Sequence, residues 1–279
     1  MNYKMVGFVL GRIFLIEAAL MLFPMGCAAI YGEWSVVLSF LWPMLIVLAL
    51  GLITSLRTPQ NTKIYARDGL AIVALVWVLM SVFGAMPFVI SGEIPSFVDA
   101  FFETVSGFTT TGSTILTDVE ALSHGTLFWR SFSHWIGGMG VLVFAMAVLP
   151  MTDGRAMHLM RAEVPGPTCG KISSKLSDSA KILYAIYLVM TVIETILLCA
   201  GGMPLFDALI HAFGTAGTGG FSNKALSVGA YNSPYFEIVI GVFMLLFGIN
   251  FNLYYFLLLR HFREAFASEE MHVYLGIVA

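Results

Sequence analysis

Charge is what this sequence has least of. Asp, Glu, Lys and Arg make up 11% of its 279 residues, against 58% hydrophobic, which is too little to keep a domain of this size dissolved. The composition reads as an integral membrane protein. A formal net charge of −3 supplies no basic surface for nucleic acid. Cysteine is scarce as well. Cys27, Cys169 and Cys199 have no metal-ligand spacing and no evident pairing, so neither a disulfide framework nor a thiolate metal site is expected. Carboxylates and histidines do not cluster, and no cofactor fingerprint is present. A membrane-embedded enzyme would have only the isolated Glu194 and His134 to work with, and neither has a nucleophile or metal constellation beside it. A cleavable leader is not expected either. The apolar run after Lys4 exceeds the roughly 7–15 residues of a signal-peptide core and carries Arg12 and Glu17, so it is expected to be a retained helix, although "FPMGC" faintly resembles a lipoprotein cleavage site.

What the chain does have is long apolar runs. About 20 such residues cross a bilayer as a helix, and six segments qualify: 5–30, 34–56, 69–91, 126–150, 180–200 and 234–259. The turns between them alternate in charge. Arg57, Lys63 and Arg67 lie in one turn, and Arg155, Arg161, Lys171, Lys175 and Lys181 in another. Arg260 and Arg263 follow the last segment. The turns "YGEW", "SGEIPS", "LTDVEALSHG" and "GGMP" contain no Lys or Arg. The positive-inside rule then places the N-terminus and the basic turns in the cytoplasm, with only Arg130 and Lys224 toward the outside.

Two outer connections are too long for turns. "IPSFVDAFFETVSGFTTTGSTILTDVEALSHG" joins the third and fourth segments, and "GGMPLFDALIHAFGTAGTGGFSNKALSVGAYN" joins the fifth and sixth. Each holds a Pro, an apolar stretch with Asp in its first turn, a Thr/Gly strip and a polar tail. Ser96 with Asp99 has the form of a capping box. Pro204 suits a first helical position, and Asp207 complements a positive helix end. At 1.5 Å per residue, stretches 96–106 and 204–214 reach about half a bilayer, so each reads as a re-entrant helix that stops mid-membrane. The two regions resemble copies of one unit: helix, short helix, strip, helix.

Non-helical backbone at membrane depth needs protein or water to satisfy it. A carbonyl strip behind the partially negative end of a half-helix can satisfy itself by coordinating a desolvated cation. Gly112 and Gly219 allow the required backbone angles, with Gly220 beside them. Thr109, Thr110, Thr111 and Thr218 add hydroxyl oxygens. Neither strip contains a carboxylate, which argues against a divalent-ion cage.

The stretches "SGFTTTGST", "WRSFSHWIGGMGVLV", "LPMTDGRAMHLMRAEVPGPT", "GTAGTGGFS" and "GINFNLYY" resemble the TrkH/KtrB family of potassium transporters, most closely its TrkH branch. The resemblance covers nearly the whole chain. It implies an all-α membrane protein in which two N-terminal helices precede helix–pore-helix–helix repeats with re-entrant filter loops. It also implies potassium uptake across the cytoplasmic membrane, with K+ held at Thr110, Thr111, Thr218 and Gly219. The implied partners are a second copy in a homodimer and a cytosolic nucleotide-binding regulator of the TrkA, RCK type. A sodium-coupled Ktr-type transporter is the nearest alternative. On this resemblance 1–68 forms the extra helix pair, 69–150 the first repeat, 151–179 a cytoplasmic linker, 180–260 the second repeat and 261–279 the start of a third. Family members carry four repeats, so the chain is expected to be an N-terminal portion.

Individual residues carry further expectations. Arg130 can snorkel to the interface or pair with Glu103 and brace the filter. Gly137, Gly138 and Gly140 suit close helix packing. Glu194 is expected in a structural hydrogen bond, and Asn250 and Asn252 at an inner mouth or between helices. Trp34, Trp129, Tyr231 and Tyr254 read as interfacial anchors.

Overall fold

The structure, a computed structural model, describes residues 1–56, 58–61, 65–140, 176–263 and 267–278. Every element among them is helical. The first apolar run forms α1 (Tyr3–Leu20) and α2 (Leu22–Ile30), divided at Met21 because Pro24 has no N–H for the Leu20 carbonyl. Next come α3 (Trp34–Ser55) and α4 (Ala66–Ser91), the latter closed by left-handed Gly92. The short α5 (Phe97–Phe108) precedes α6 (His124–Gly138). Beyond the undescribed stretch lie α7 (Leu176–Ala200), the short α8 (Leu205–Ala216), a 3-10 turn (Ser227–Tyr231), α9 (Pro234–Gly248), α10 (Phe251–Leu258) and α11 (Glu269–Val278).

Among the described residues, four stretches are long and apolar enough to cross a membrane: Tyr3–Ile30, Trp34–Ser55, Arg67–Ser91 and Ala180–Ala200. The chain is a multi-pass membrane protein. Its α1–α3 hairpin leans on α4, while α5 packs between α4 and α6, and α8 packs between α7, α9 and α6. Phe40, Met80, Phe108, Trp129 and Ile136 lie in one apolar cluster.

Four sequence expectations change here. The segment 126–150 does not run on as one helix, because α6 stops at Gly138 and Gly140 is left-handed (φ +76°). Residues from 141 to 175, including most of the expected 151–179 linker, lie outside the described residues. The segment 234–259 is two helices meeting at 87°. Ile249 is extended there and Asn250 caps α10, its side chain accepting from the Asn252 N–H at 3.0 Å. Carbonyls released by the bend find hydroxyls: Tyr254 donates to the Leu246 oxygen at 2.7 Å, and Tyr274 to that of Leu245 at 2.9 Å. Tyr254 thus closes a broken helix instead of anchoring an interface. Trp129 is no anchor either. It is fully buried and donates to the Gly84 carbonyl at 2.9 Å. Trp34 is 67% exposed.

Candidate functional site

The two strips are built alike. Ser96 caps α5 with its hydroxyl on the Asp99 N–H, and Pro204 stands at the cap position of α8, one residue earlier than expected. At the other end, N–H groups of the strip fold back onto the helix. Thr109 donates to Val105 (2.8 Å), Thr110 to Gly107 (3.0 Å) and Thr111 to Ser106 (2.9 Å). Gly217 donates to Phe213 (3.2 Å), Thr218 to Thr215 (2.8 Å) and Gly219 to Gly214 (3.2 Å) at the same spacing. These bonds satisfy carbonyls that a helix end otherwise leaves open.

Backbone angles complete the match. Thr110 and Thr218 both have φ +56°, and Gly112 and Gly220 both have φ +77°. A threonine in the left-handed region is uncommon, so two of them at one step mark a shared backbone design. The partner of Gly112 is therefore Gly220. Gly219 is not among the positive-φ residues, and what it needs is room. A Cβ on Gly112 would fall on the Gly219 carbonyl oxygen, and one on Gly219 would come within 2.7 Å of the Thr110 oxygen. The strips thus touch along their backbones.

Side chains repeat the pattern with different chemistry. In the first unit the Glu103 carboxylate reaches forward from α5, accepting from the Thr114 hydroxyl at 2.8 Å and the Ile115 N–H at 3.1 Å. At the same place in the second unit His211 meets the Ser222 hydroxyl at 3.0 Å. Its Nδ1 lies 2.7 Å from the Asp207 carbonyl oxygen, so Nδ1 carries the proton and Nε2 accepts.

Arg130 ties the units together. It is 4% exposed, and its Nε donates to Glu103 Oε1 at 2.6 Å while Nη1 donates to the Ser222 carbonyl at 3.0 Å. Its guanidinium also lies 3.6 Å from the Phe221 ring centroid. It does not snorkel; it braces α5 of one unit against the strip of the other. One turn on, His134 is fully buried, its ring tilted against that of Phe221 at 4.1 Å between centroids, with no hydrogen bond at either ring nitrogen among the described residues. The glycine run beyond it serves close packing. A Cβ on Gly137 would strike the Phe108 carbonyl, and one on Gly138 the Tyr187 hydroxyl. Glu194 is fully buried and makes no hydrogen bond of good geometry among the described residues, the nearby Thr215 hydroxyl being committed to the His211 carbonyl at 2.8 Å. Asn250 donates to Glu270 at 3.0 Å, so it joins helices in this chain.

Several participants escape a reading of the sequence. His211, Phe221 and Ser222 belong to the bracing. Their only advance signal was the placement of His211 four residues after Asp207, on the same helix face. Glu33, in the α2–α3 turn, is another. Its two oxygens accept from the His124 N–H (2.9 Å) and the Gly125 N–H (3.0 Å), capping α6 from a distant segment. Partial burial opposes its charge, but those N–H groups and the His124 ring prevail and hold the carboxyl below the ordinary range. Above it His124 stacks on Tyr31 at 3.8 Å, and Phe206 of α8 abuts both rings.

A duplicated unit of helix, short helix, polar strip and helix, with two strips side by side in an apolar bundle, is the architecture of a membrane cation-transport protein. Residues 36–276 match the TrkH family of cation transport proteins, and the chain belongs to that family. The Trk system potassium uptake protein TrkH of Salmonella typhimurium is 36% identical over 99% of this chain and 58% of its own length. TrkG of Escherichia coli strain K12 is 35% identical over 93% of this chain and 54% of its own. The crystal structure of the potassium transporter TrkH from Vibrio parahaemolyticus superposes with a TM-score of 0.76 at 30% identity, covering 91% of this chain and 52% of that one. The chain thus spans about half the length of the relatives it matches.

Proposed function

We propose that this chain forms part of a potassium-uptake pathway in the cytoplasmic membrane, with its N-terminus inside. The paired left-handed steps at Thr110/Gly112 and Thr218/Gly220 carry the reading. Such angles turn successive carbonyls to one side, and a row of them can replace the hydration shell of a monovalent cation. The half-length helices α5 and α8 are re-entrant and aim their negative ends at the ion. Thr109, Thr110, Thr111, Gly112, Thr218, Gly219 and Gly220 line the filter, with K+ at Thr110, Thr111, Thr218 and Gly219. Glu103 and Arg130 support it from behind. The names of the relatives and the match to a potassium transporter support the choice of ion. The protein acts as a permease and not as an enzyme, as a homodimer with a cytosolic nucleotide-binding regulator. Residues 1–68 form the extra helix pair, 69–150 and 180–260 the two repeats, and 261–279 the start of another.

The test is growth of potassium-starved cells that lack their own uptake systems. The chain is expressed by itself and together with the remaining half of the Salmonella relative. Uptake that prefers potassium to sodium in one format is the expected result. Equal passage of the two ions, or no monovalent flux in either format, overturns the proposal.

A further inference from the structure

The two strips share a backbone but differ at two positions. The first has Thr109 and Thr111, whose hydroxyls hydrogen-bond each other at 2.8 Å, Thr109 also donating to the Val105 carbonyl at 2.7 Å. The second has Gly217 and Gly219 at the equivalent places. Neither glycine is required by its backbone angle. Gly217 is right-handed at φ −79°, and Gly219 is outside the positive-φ set. What stands in the way of a side chain is His134 of α6. A Cβ on Gly219 would fall on its Nε2, and one on Gly217 would sit 2.9 Å from its Cδ2 and 2.8 Å from its carbonyl oxygen.

We infer that His134 is a positioning residue of the second strip, its imidazole occupying the place that the Thr109 and Thr111 side chains fill in the first. The inference rests on the strips being an ion path, as proposed above. The ring is held by Phe221 on one side and by the glycine backbone on the other. Arg130, one turn earlier on α6, fixes Phe221 and the Ser222 carbonyl. An apolar residue would fill this space without the cost of burying two ring nitrogens that make no hydrogen bond among the described residues. A structure that keeps the imidazole there in spite of that cost is using its flat shape against Gly217 and Gly219. The first strip sets its back face from within, and the second borrows a side chain from the neighbouring unit. Tolerance at positions 217 and 219 is thereby coupled to position 134.

A double-mutant cycle tests this in purified protein without requiring flux. Gly219→Ala should lower Tm by several degrees, and the loss should shrink by at least about half in a His134→Ala background. The relief is partial because the Thr110 oxygen, 2.7 Å from that Cβ, stays in place. His134→Val, which also vacates the Nε2 position, takes the place of His134→Ala if that variant does not fold. Additive losses overturn the inference. In the format that supports uptake, His134→Ala should lower the potassium-to-sodium uptake ratio roughly tenfold, the factor carried by about 1.4 kcal/mol. A loss of stability alone, with the ratio unchanged, would leave His134 as mere packing and also overturns it. If the unmodified protein moves no potassium in either format, the proposed function fails, and the cycle alone decides the steric exchange.

Discussion

Gly112, Gly219 and Gly220 sit in adjacent strips under different constraints. Gly220 has open space around its Cα, the Met244 methyl being 3.9 Å from an added Cβ, but its φ is +77°. Substitution there isolates the cost of a left-handed backbone, about 1–2 kcal/mol for an ordinary L-residue. Gly220→Ala should lower Tm, and Gly220→Asn should lower it less because Asn tolerates the left-handed region. Thermal unfolding in detergent checks the order, and equal losses would remove φ as the cause. Gly112→Ser adds a backbone collision to the same angle and should abolish uptake while the protein still inserts. The sequence made the strips visible, but "TTTG" and "GTGG" align in more than one register. Only the matched angles resolve Gly112 to Gly220. A Thr-for-Gly exchange at 109/217 and 111/219 likewise has no meaning until His134 is seen behind the glycines.

Among the elements, the short helices were the most legible, since Ser96, Asp99, Pro204 and Asp207 mark their starts. The bend between α9 and α10 was not. Hydropathy measures how well a segment sits in lipid and is silent about its direction, and 234–259 is apolar throughout. Its one cue was Asn250, a capping residue in an apolar run, which reads equally well as a helix–helix contact. The cap on α6 was hidden for a different reason. Glu33 acts 91 residues from His124, and no local pattern reveals such a contact. Because the folded carboxyl of Glu33 is held below its ordinary range, it binds fewer protons folded than unfolded. Its contribution is therefore present above the unfolded value of about 4.3 and lost as pH falls through the lower folded value. Glu33→Gln should cost about 1 kcal/mol at neutral pH and flatten the fall of Tm in acid. Melting curves between about pH 3 and pH 7 check this, and parallel curves would show that Glu33 does not titrate with folding.

At the scale of the molecule, the bracing of one unit by the other is expected to make the bundle unfold as one cooperative body. Arg130, Glu103 and Ser222 form one link. The Tyr187 hydroxyl on the Trp135 carbonyl at 2.9 Å and the Trp135 indole on Thr191 at 3.1 Å form a second. Glu120, which accepts from the Ala225 N–H and the Lys224 ammonium, each at 3.2 Å, forms an outer third. Removing one member of a buried pair strands the other charge, at about 3–5 kcal/mol. Arg130→Ala should therefore lower Tm more than any other single change proposed above, and should spread one unfolding transition into two. Arg130→Lys should not restore it, since one ammonium cannot lie flat on Phe221 while reaching both oxygens. Tryptophan fluorescence reports on the first unit and the helix pair before it, which hold all five tryptophans, and circular dichroism on the whole. Coincident transitions in the Arg130→Ala protein would show that the units are not joined through this side chain.

The same guanidinium also sets an order of events during synthesis. Glu103 and Arg130 are both made before Ser222, which lies 92 residues beyond Arg130 and emerges about 5–20 s later at ordinary elongation rates. Over that interval the Glu103–Arg130 pair can dock α6 on α5 with the guanidinium Nη1 still uncommitted. The second strip then arrives at a surface already shaped to receive it, and its Ser222 carbonyl closes the last bond. The first unit thereby acts as the mould on which the second is cast.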